Sequence, residues 1–239
     1  MGSTDGKLVA IHQPNFLPWL GFFDKIRRSD LFVAMDNVQF GKTGAGTWTN
    51  RVQVIVNGEP AWVTMPIVRA FHGVRAIKEM EVQAEPSWRV KLLRTIENSY
   101  RRAPYFGEVF GLVEPIIQNP TSNLAEYNMA GIRQLCGALR LTTPIVIGST
   151  LGVDGRATEL LIRMVKAAGG TAYLAGGGAA GYQEDEQFRE AGITLIYQEF
   201  HHPAYPQFNT TAFKPGLSIV DALMNCGFRA TADLLGKPA

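Results

Sequence analysis

Apolar residues in this chain fall into two rhythms. "KLVAI" and "DLFVAM" are short continuous apolar runs, and between them "WLGFFDKIRRS" spaces its apolar residues at helical intervals. Strand, loop, helix and strand within about thirty residues make a βαβ unit, which implies a parallel sheet with a right-handed crossover. The alternation returns later. "TPIVIGS" reads as a strand, "GRATELLIRMVKAAGG" as an amphipathic helix with a glycine stop, "TAYLAG" as a strand, "YQEDEQFREAG" as a helix and "ITLIYQEF" as a last strand.

A different pattern separates these two halves. "RVQVIVNGEPAWVTMPI" predicts a hairpin, because Asn57-Gly58 supplies a positive-φ turn between two alternating runs. "SWRVKLLRTIENSYRRAP" predicts a helix stopped near Pro104. "YFGEVFGLVEPIIQ" and "NLAEYNMAGIRQLCGALRL" continue the helical middle, with Thr121 or Ser122 as the N-cap of the latter. The whole predicts a single α/β domain over 7–239, a mostly parallel, Rossmann-like sheet flanked by helices, with 50–140 as a hairpin and helical insertion. The opening "MGSTDG" is expected to be a flexible leader.

Composition narrows the function classes. With 46% hydrophobic and 18% charged residues over 239 positions, the chain can bury a large core and is not of the disordered type. Its 23 basic residues are scattered and its net charge is only +2, which argues against the concentrated basic face of a nucleic-acid binder. Cys136 and Cys226 lie too far apart in sequence for a metal cluster or a disulfide framework, and a reducing cytoplasm is the simplest location. No apolar run reaches the roughly 18 to 20 residues of a membrane-spanning helix. With four histidines and no cysteine cluster, no metal site is expected.

In parallel sheets the ligand crevice lies beyond the carboxyl ends of the strands. "HQPN" follows the first strand and "DNVQFGK" the second, so two polar segments converge on one edge. His12 there suits acid–base work or an anion, with Gln13 and Asn15 beside it. Asp36, at the end of a buried strand, needs a partner, and an Asp36–His12 pair would orient the ring and raise its basicity. The alternative is that these side chains only bond loop backbone that Pro14 and Pro18 keep from pairing regularly. Asn37, Gln39, Trp48 and Asn50 are further candidate substrate contacts. Lys42 and Arg51 could clamp an anion, although "GKTGAGTW" lacks the spacing of a phosphate loop.

"LAGGGAAGY" is a glycine-rich turn after a strand, in which Gly176, Gly177, Gly178 and Tyr182 could receive a phosphate or carboxylate on backbone N–H groups. In "HHPAYPQF", His201 and His202 point to opposite faces of an extended segment, so only one can face the site; Gln207 follows them. Cys226 reads as a partly buried helix-end thiol with no adjacent base.

The order of these motifs is recognisable. "HQPNFLPWLGFFDKI", "FVAMDNVQFGK", "WTNR", "ENSYRRAPYF", "RATELLI", "YLAGGGAAGY", "FHHPAYPQF" and "LSIVDALMNCG" together resemble the WbqC-like family, from about His12 to Gly227. The resemblance implies a bacterial cytoplasmic protein of surface-polysaccharide or specialised-metabolite biosynthesis, and in some members a role in attaching an amino-acyl group such as glycine to an amine. This chain departs from the family in "KTGAGTW", longer than usual, and in "LAGGG", where a serine often precedes the glycines. The first βαβ also looks like the nucleotidyl-transferase and class I synthetase superfamily, but the second histidine of H-x-G-H is missing, with Phe22-Phe23 in its neighbourhood.

The expected function is a biosynthetic acyl or aminoacyl transferase that forms an amide on a small amine. His12 is its expected base, oriented by Asp36. An aminoacyl-tRNA or an acyl carrier protein is a candidate donor, and a homodimer a candidate assembly. The alternatives are nucleotide-dependent activation, with nucleotide and magnesium bound, and a non-catalytic ligand-binding or scaffold protein.

Overall fold

The computed structural model describes residues 6–41, 48–177 and 184–236. Elements are numbered along the chain. Five short strands, β1 (Leu8–His12), β2 (Leu31–Ala34), β5 (Ile145–Ile147), β6 (Ala172–Ala175) and β7 (Thr194–Tyr197), form one sheet in the order β5-β2-β1-β6-β7, and every pairing is parallel. The central strands are apolar, apart from His12 at the end of β1, because both faces are covered. Alternate residues serve opposite layers. Val9, Ile11, Val33 and Tyr173 pack with α5 (Ala157–Ala167) and the short α6 (Asp185–Glu190), while Ala10, Phe32, Ala34 and Leu174 pack into the larger core on the other face. His12 follows the phase of Ala10 and so projects toward that larger core.

That core contains α1 (Leu20–Arg27) and α7 (Ile219–Leu234). It also takes in everything between β2 and β5: the hairpin of β3 (Arg51–Val56) and β4 (Glu59–Thr64), then α2 (Ser87–Tyr100), α3 (Phe106–Gln118) and α4 (Leu124–Ala138). The expected hairpin turn is present, with Asn57 at φ 53° and Gly58 at φ 83°. The N-cap of α4 differs from expectation. Asn123 Oδ1 accepts from Glu126 N at 3.1 Å. Ser122 and Thr121 lie before the cap position, since α4 begins at Leu124; the Ser122 carbonyl takes Val82 N at 2.7 Å and Thr121 N donates to Asn119 Oδ1.

The sheet has one break in its ladder that positions the site. β1 pairs with β6 only as far as Ala10↔Leu174, yet β1 runs on to His12 against Ala34 of β2, and β6 runs on to Ala175 against Tyr197 of β7. The two central strands therefore part at their carboxyl ends. The strand order also reverses here, since β2 and β5 lie to one side of β1 and β6 and β7 to the other. In open parallel sheets this switch point is where ligands bind.

Candidate active site at the parting of β1 and β6

His12 ends β1 and is part-buried. Its Nδ1 lies 2.9 Å from the Gln13 carbonyl, which can only accept, so Nδ1 carries the proton and Nε2 keeps a lone pair. The ring stands edge-on to Trp19 and Phe22, with centroids 5.6 and 5.2 Å away. Burial, reinforced by the positive charge of Lys25, lowers its pKa to about 4 against a smaller upward pull from the Gln13 bond. The imidazole is therefore neutral across physiological pH.

Asp36 does not orient it. Both carboxylate oxygens are taken by Ser149, whose N and Oγ each donate at 2.8 Å, and the Gln13 carbonyl does the orienting instead. The reason is topological: the turn after β5 follows β2 directly in the sheet and presents Ser149 to the end of β2. A buried carboxylate takes the nearest donors.

The loop from Gln13 to Trp19 is fixed by α7. Ser218 Oγ donates to Leu17 O at 2.7 Å and Ile219 N to Pro18 O at 2.8 Å, holding Leu17 at φ 40°. On its other side, Asn128 of α4 donates from Nδ2 to Pro14 O at 2.9 Å and to Thr49 O at 2.7 Å. Around this junction several buried polar atoms lack a partner among the described residues: Asn15 Nδ2, Thr49 Oγ1, Asn50 Oδ1 and Asn128 Oδ1. Asn37 Oδ1, beyond β2, is in the same state. Native interiors leave few such groups, and a cluster of them calls for water or ligand.

An aromatic row leads outward from His12. Trp19 meets Trp48 at 5.3 Å, Trp48 meets Trp62 at 5.1 Å, and the Arg51 guanidinium lies 4.4 Å over the ring of Trp62, which is 43% exposed. Arg51 thus sits at the outer end of this row, on the hairpin. Gln39 is exposed and its backbone bridges to Ala76.

The remaining predicted residues separate. Gly176 and Gly177 lie just past β6, beside the parting of the strands. His201 and His202 are both exposed, His202 edge-on to Phe200, so the expected division between an inner and an outer histidine is not seen. Gln207 is committed elsewhere: its amide donates to Asp221 Oδ2 at 2.9 Å and Lys214 O at 3.0 Å. Tyr100 and Tyr205 complete that buried network around Asp221, which has no cationic partner among the described residues and whose pKa is raised by burial. Cys226 is partly buried, and burial raises its pKa, as does nearby Asp221, so the thiol is not activated. Lys42, Gly178 and Tyr182 lie outside the described residues.

Thr49, Asn128, Ser149 and above all Lys25 escape a reading of the sequence for functional residues. Lys25 is 2% exposed and donates to Ile11 O at 2.8 Å. Two open clefts occur away from these groups, one of about 640 Å³ between the hairpin turn, α2 and Phe208, the other of about 1160 Å³ between the start of α3, 138–143 and the bend of α7.

Comparison with known proteins gives a consistent grouping. Residues 13–233 match the model of the WbqC-like protein family. A curated relative, an uncharacterized protein of Mycobacterium tuberculosis, is 28% identical over 227 residues, spanning 94% of this chain and 96% of the relative. No solved structure matches. Among the described residues, no helix is long and apolar enough to cross a membrane.

Proposed function

This chain belongs to the WbqC-like protein family, and from that premise and its site we propose that it is an acyl or aminoacyl transferase forming an amide on a small amine. The observation that carries the reading is His12, neutral and Nδ1-protonated at the switch point of the sheet, with Nε2 left as an acceptor.

In the proposed reaction the acceptor nitrogen attacks the acyl carbonyl. The new C–N bond forms as the leaving group departs with its electron pair, and the proton shed by nitrogen passes to His12 Nε2. Gln13 O holds the ring in the tautomer this requires. The partnerless buried atoms Asn15 Nδ2, Asn37 Oδ1 and Asn50 Oδ1 are suited to polar groups of the substrate, and the tryptophan row gives an apolar wall for a ring such as that of an amino sugar. Arg51, and Lys42 in the reading from sequence, would meet an anionic part of the donor.

The strand order favours a second reading, nucleotide-dependent activation, because nucleotides bind at this switch point in many such sheets. It predicts binding of a nucleotide with magnesium in the absence of any acyl donor. The first reading is tested by incubating the protein with activated aminoacyl donors and amino sugars and following the amide product by mass spectrometry. His12→Ala is expected to lower turnover by about a hundred-fold or more. Full turnover in that variant contradicts the proposal.

A further inference from the structure

Lys25 is placed where a surface lysine of a helix would not be. It sits on α1, which is buried from Leu20 to Ile26, and its side chain leans toward the helix N-terminus as helical side chains do. That direction carries Nζ to the sheet's carboxyl edge. There it meets Ile11 O, the β1 carbonyl just beyond the last residue paired with β6. The ammonium thus occupies the mouth of the gap where the two strands part.

Its surroundings do not neutralise it. Nζ donates one described hydrogen bond, to Ile11 O, and forms no ion pair among the described residues. The groups facing it are His12 from β1 and the ring of Tyr173 from β6, 5.8 Å away. Asp24, its neighbour on α1, is turned elsewhere, its carboxylate accepting from Gly236 N and Gln198 Nε2 at 2.8 Å each. Burial lowers the Lys25 pKa to about 7. A buried cation without a counter-charge is costly, and a lysine left so is an invitation to an anion.

Among the described residues, a Cβ placed on Gly176 would meet only Lys25 Nζ, at 3.6 Å, and one on Gly177 would meet nothing within 4 Å. Glycine at both positions lets a ligand approach the backbone next to the ammonium.

We propose that the gap between the carboxyl ends of β1 and β6 is a phosphate-binding position in which Lys25 is the charged ligand, Gly176–Gly177 supply the backbone wall and His12 forms the opposite rim. The proposal rests on the acyl-transfer reading for the origin of the anion, a phosphate group carried by the activated donor. A dianion suits the position better than a carboxylate because Lys25 and the backbone approach it from different elements, α1 and the end of β6. Binding draws a proton onto Lys25, since an adjacent negative charge favours the ammonium form.

The test is calorimetric titration of the full chain with inorganic phosphate and pyrophosphate, and with acetate as the carboxylate control, in two buffers of different ionisation enthalpy. Binding of a phosphate probe by the parent protein is expected, with net proton uptake near pH 8, where free Lys25 is mostly neutral, that decreases toward pH 6, where Lys25 is already charged and phosphate bound as the dianion releases its own proton. Lys25→Met is expected to weaken binding by about ten-fold or more and to abolish the proton uptake, while Lys25→Arg keeps binding without uptake. Absence of phosphate binding, binding without proton uptake in the parent, equal binding by Lys25→Met, or a preference for acetate would each overturn the assignment. The proton uptake is read on the parent protein and needs no variant to fold. Failure of the acyl-transfer reading is separate: Lys25-dependent phosphate binding in a protein that makes no amide leaves this site standing, and amide formation without such binding removes it.

Discussion

A buried asparagine has two hydrogens and an acceptor to place, and Asn128 places only the hydrogens, on Pro14 O and Thr49 O. It thereby holds two chain segments that lie far apart in sequence, each of which carries a predicted site residue, Asn15 and Asn50. Asn128→Leu would leave both carbonyls without this donor and is expected to cost about 2–5 kcal/mol in urea denaturation. A loss below about 0.5 kcal/mol would mean that the carbonyls find other donors and that the junction does not depend on α4. Legibility at this scale is uneven for physical reasons. His12, Asn15 and Asn50 can be picked out because polar side chains at a strand end or beside a hairpin have no packing role. Lys25 and Asn128 sit in helical sequences, where a polar residue ordinarily reads as the solvated face. One signal was available: Lys25 lies three positions after Phe22 and one before Ile26, on the helix's apolar side. The Asp36–His12 pair was the converse error, because which donor reaches a carboxylate depends on a strand neighbour that sequence order does not reveal.

At the scale of elements, α1 and α7 hold the site between them, and α7 bends to do so. Gly227 interrupts the helix at φ 74° and ψ 176°, a conformation essentially confined to glycine, with the Tyr105 ring packed against it. A Cβ there would come within 2.7 Å of two Tyr105 ring atoms. Gly227→Ala is therefore expected to destabilise the fold by about 1–3 kcal/mol, read as a lowered thermal midpoint; an unchanged midpoint would show that α7 can straighten at no cost. The same bend explains why α7 is hard to read in sequence, since a helical period broken by Asn225, Cys226 and Gly227 resembles a helix end. The strands and the other helices were legible because a doubly covered parallel sheet writes its strands as unbroken apolar runs and its helices as amphipathic ones. β5 and β7 are shorter than the stretches "TPIVIGS" and "ITLIYQEF" that read as strands, since pairing partners set where a ladder stops.

Across the whole molecule, the sheet order, the parting of its central strands and the neutral histidine at their ends converge on one location. Sequence alternation revealed a parallel sheet but could not reveal its order, and the order is what makes the end of β1 a switch point. The large crossover between β2 and β5 contributes Asn128, Asn50 and the two outer tryptophans, Trp48 and Trp62, so the candidate site is shared between the sheet and that crossover. The proposed chemistry depends most on the protonation state of one ring. The measurement that tests it most directly is a nitrogen-15 NMR titration of the His12 imidazole, assigned by its loss in His12→Ala. The expected result is a neutral ring protonated on Nδ1 that takes up its second proton only near pH 4. Titration near the ordinary histidine value of about 6.5, or a neutral ring protonated on Nε2, would contradict it.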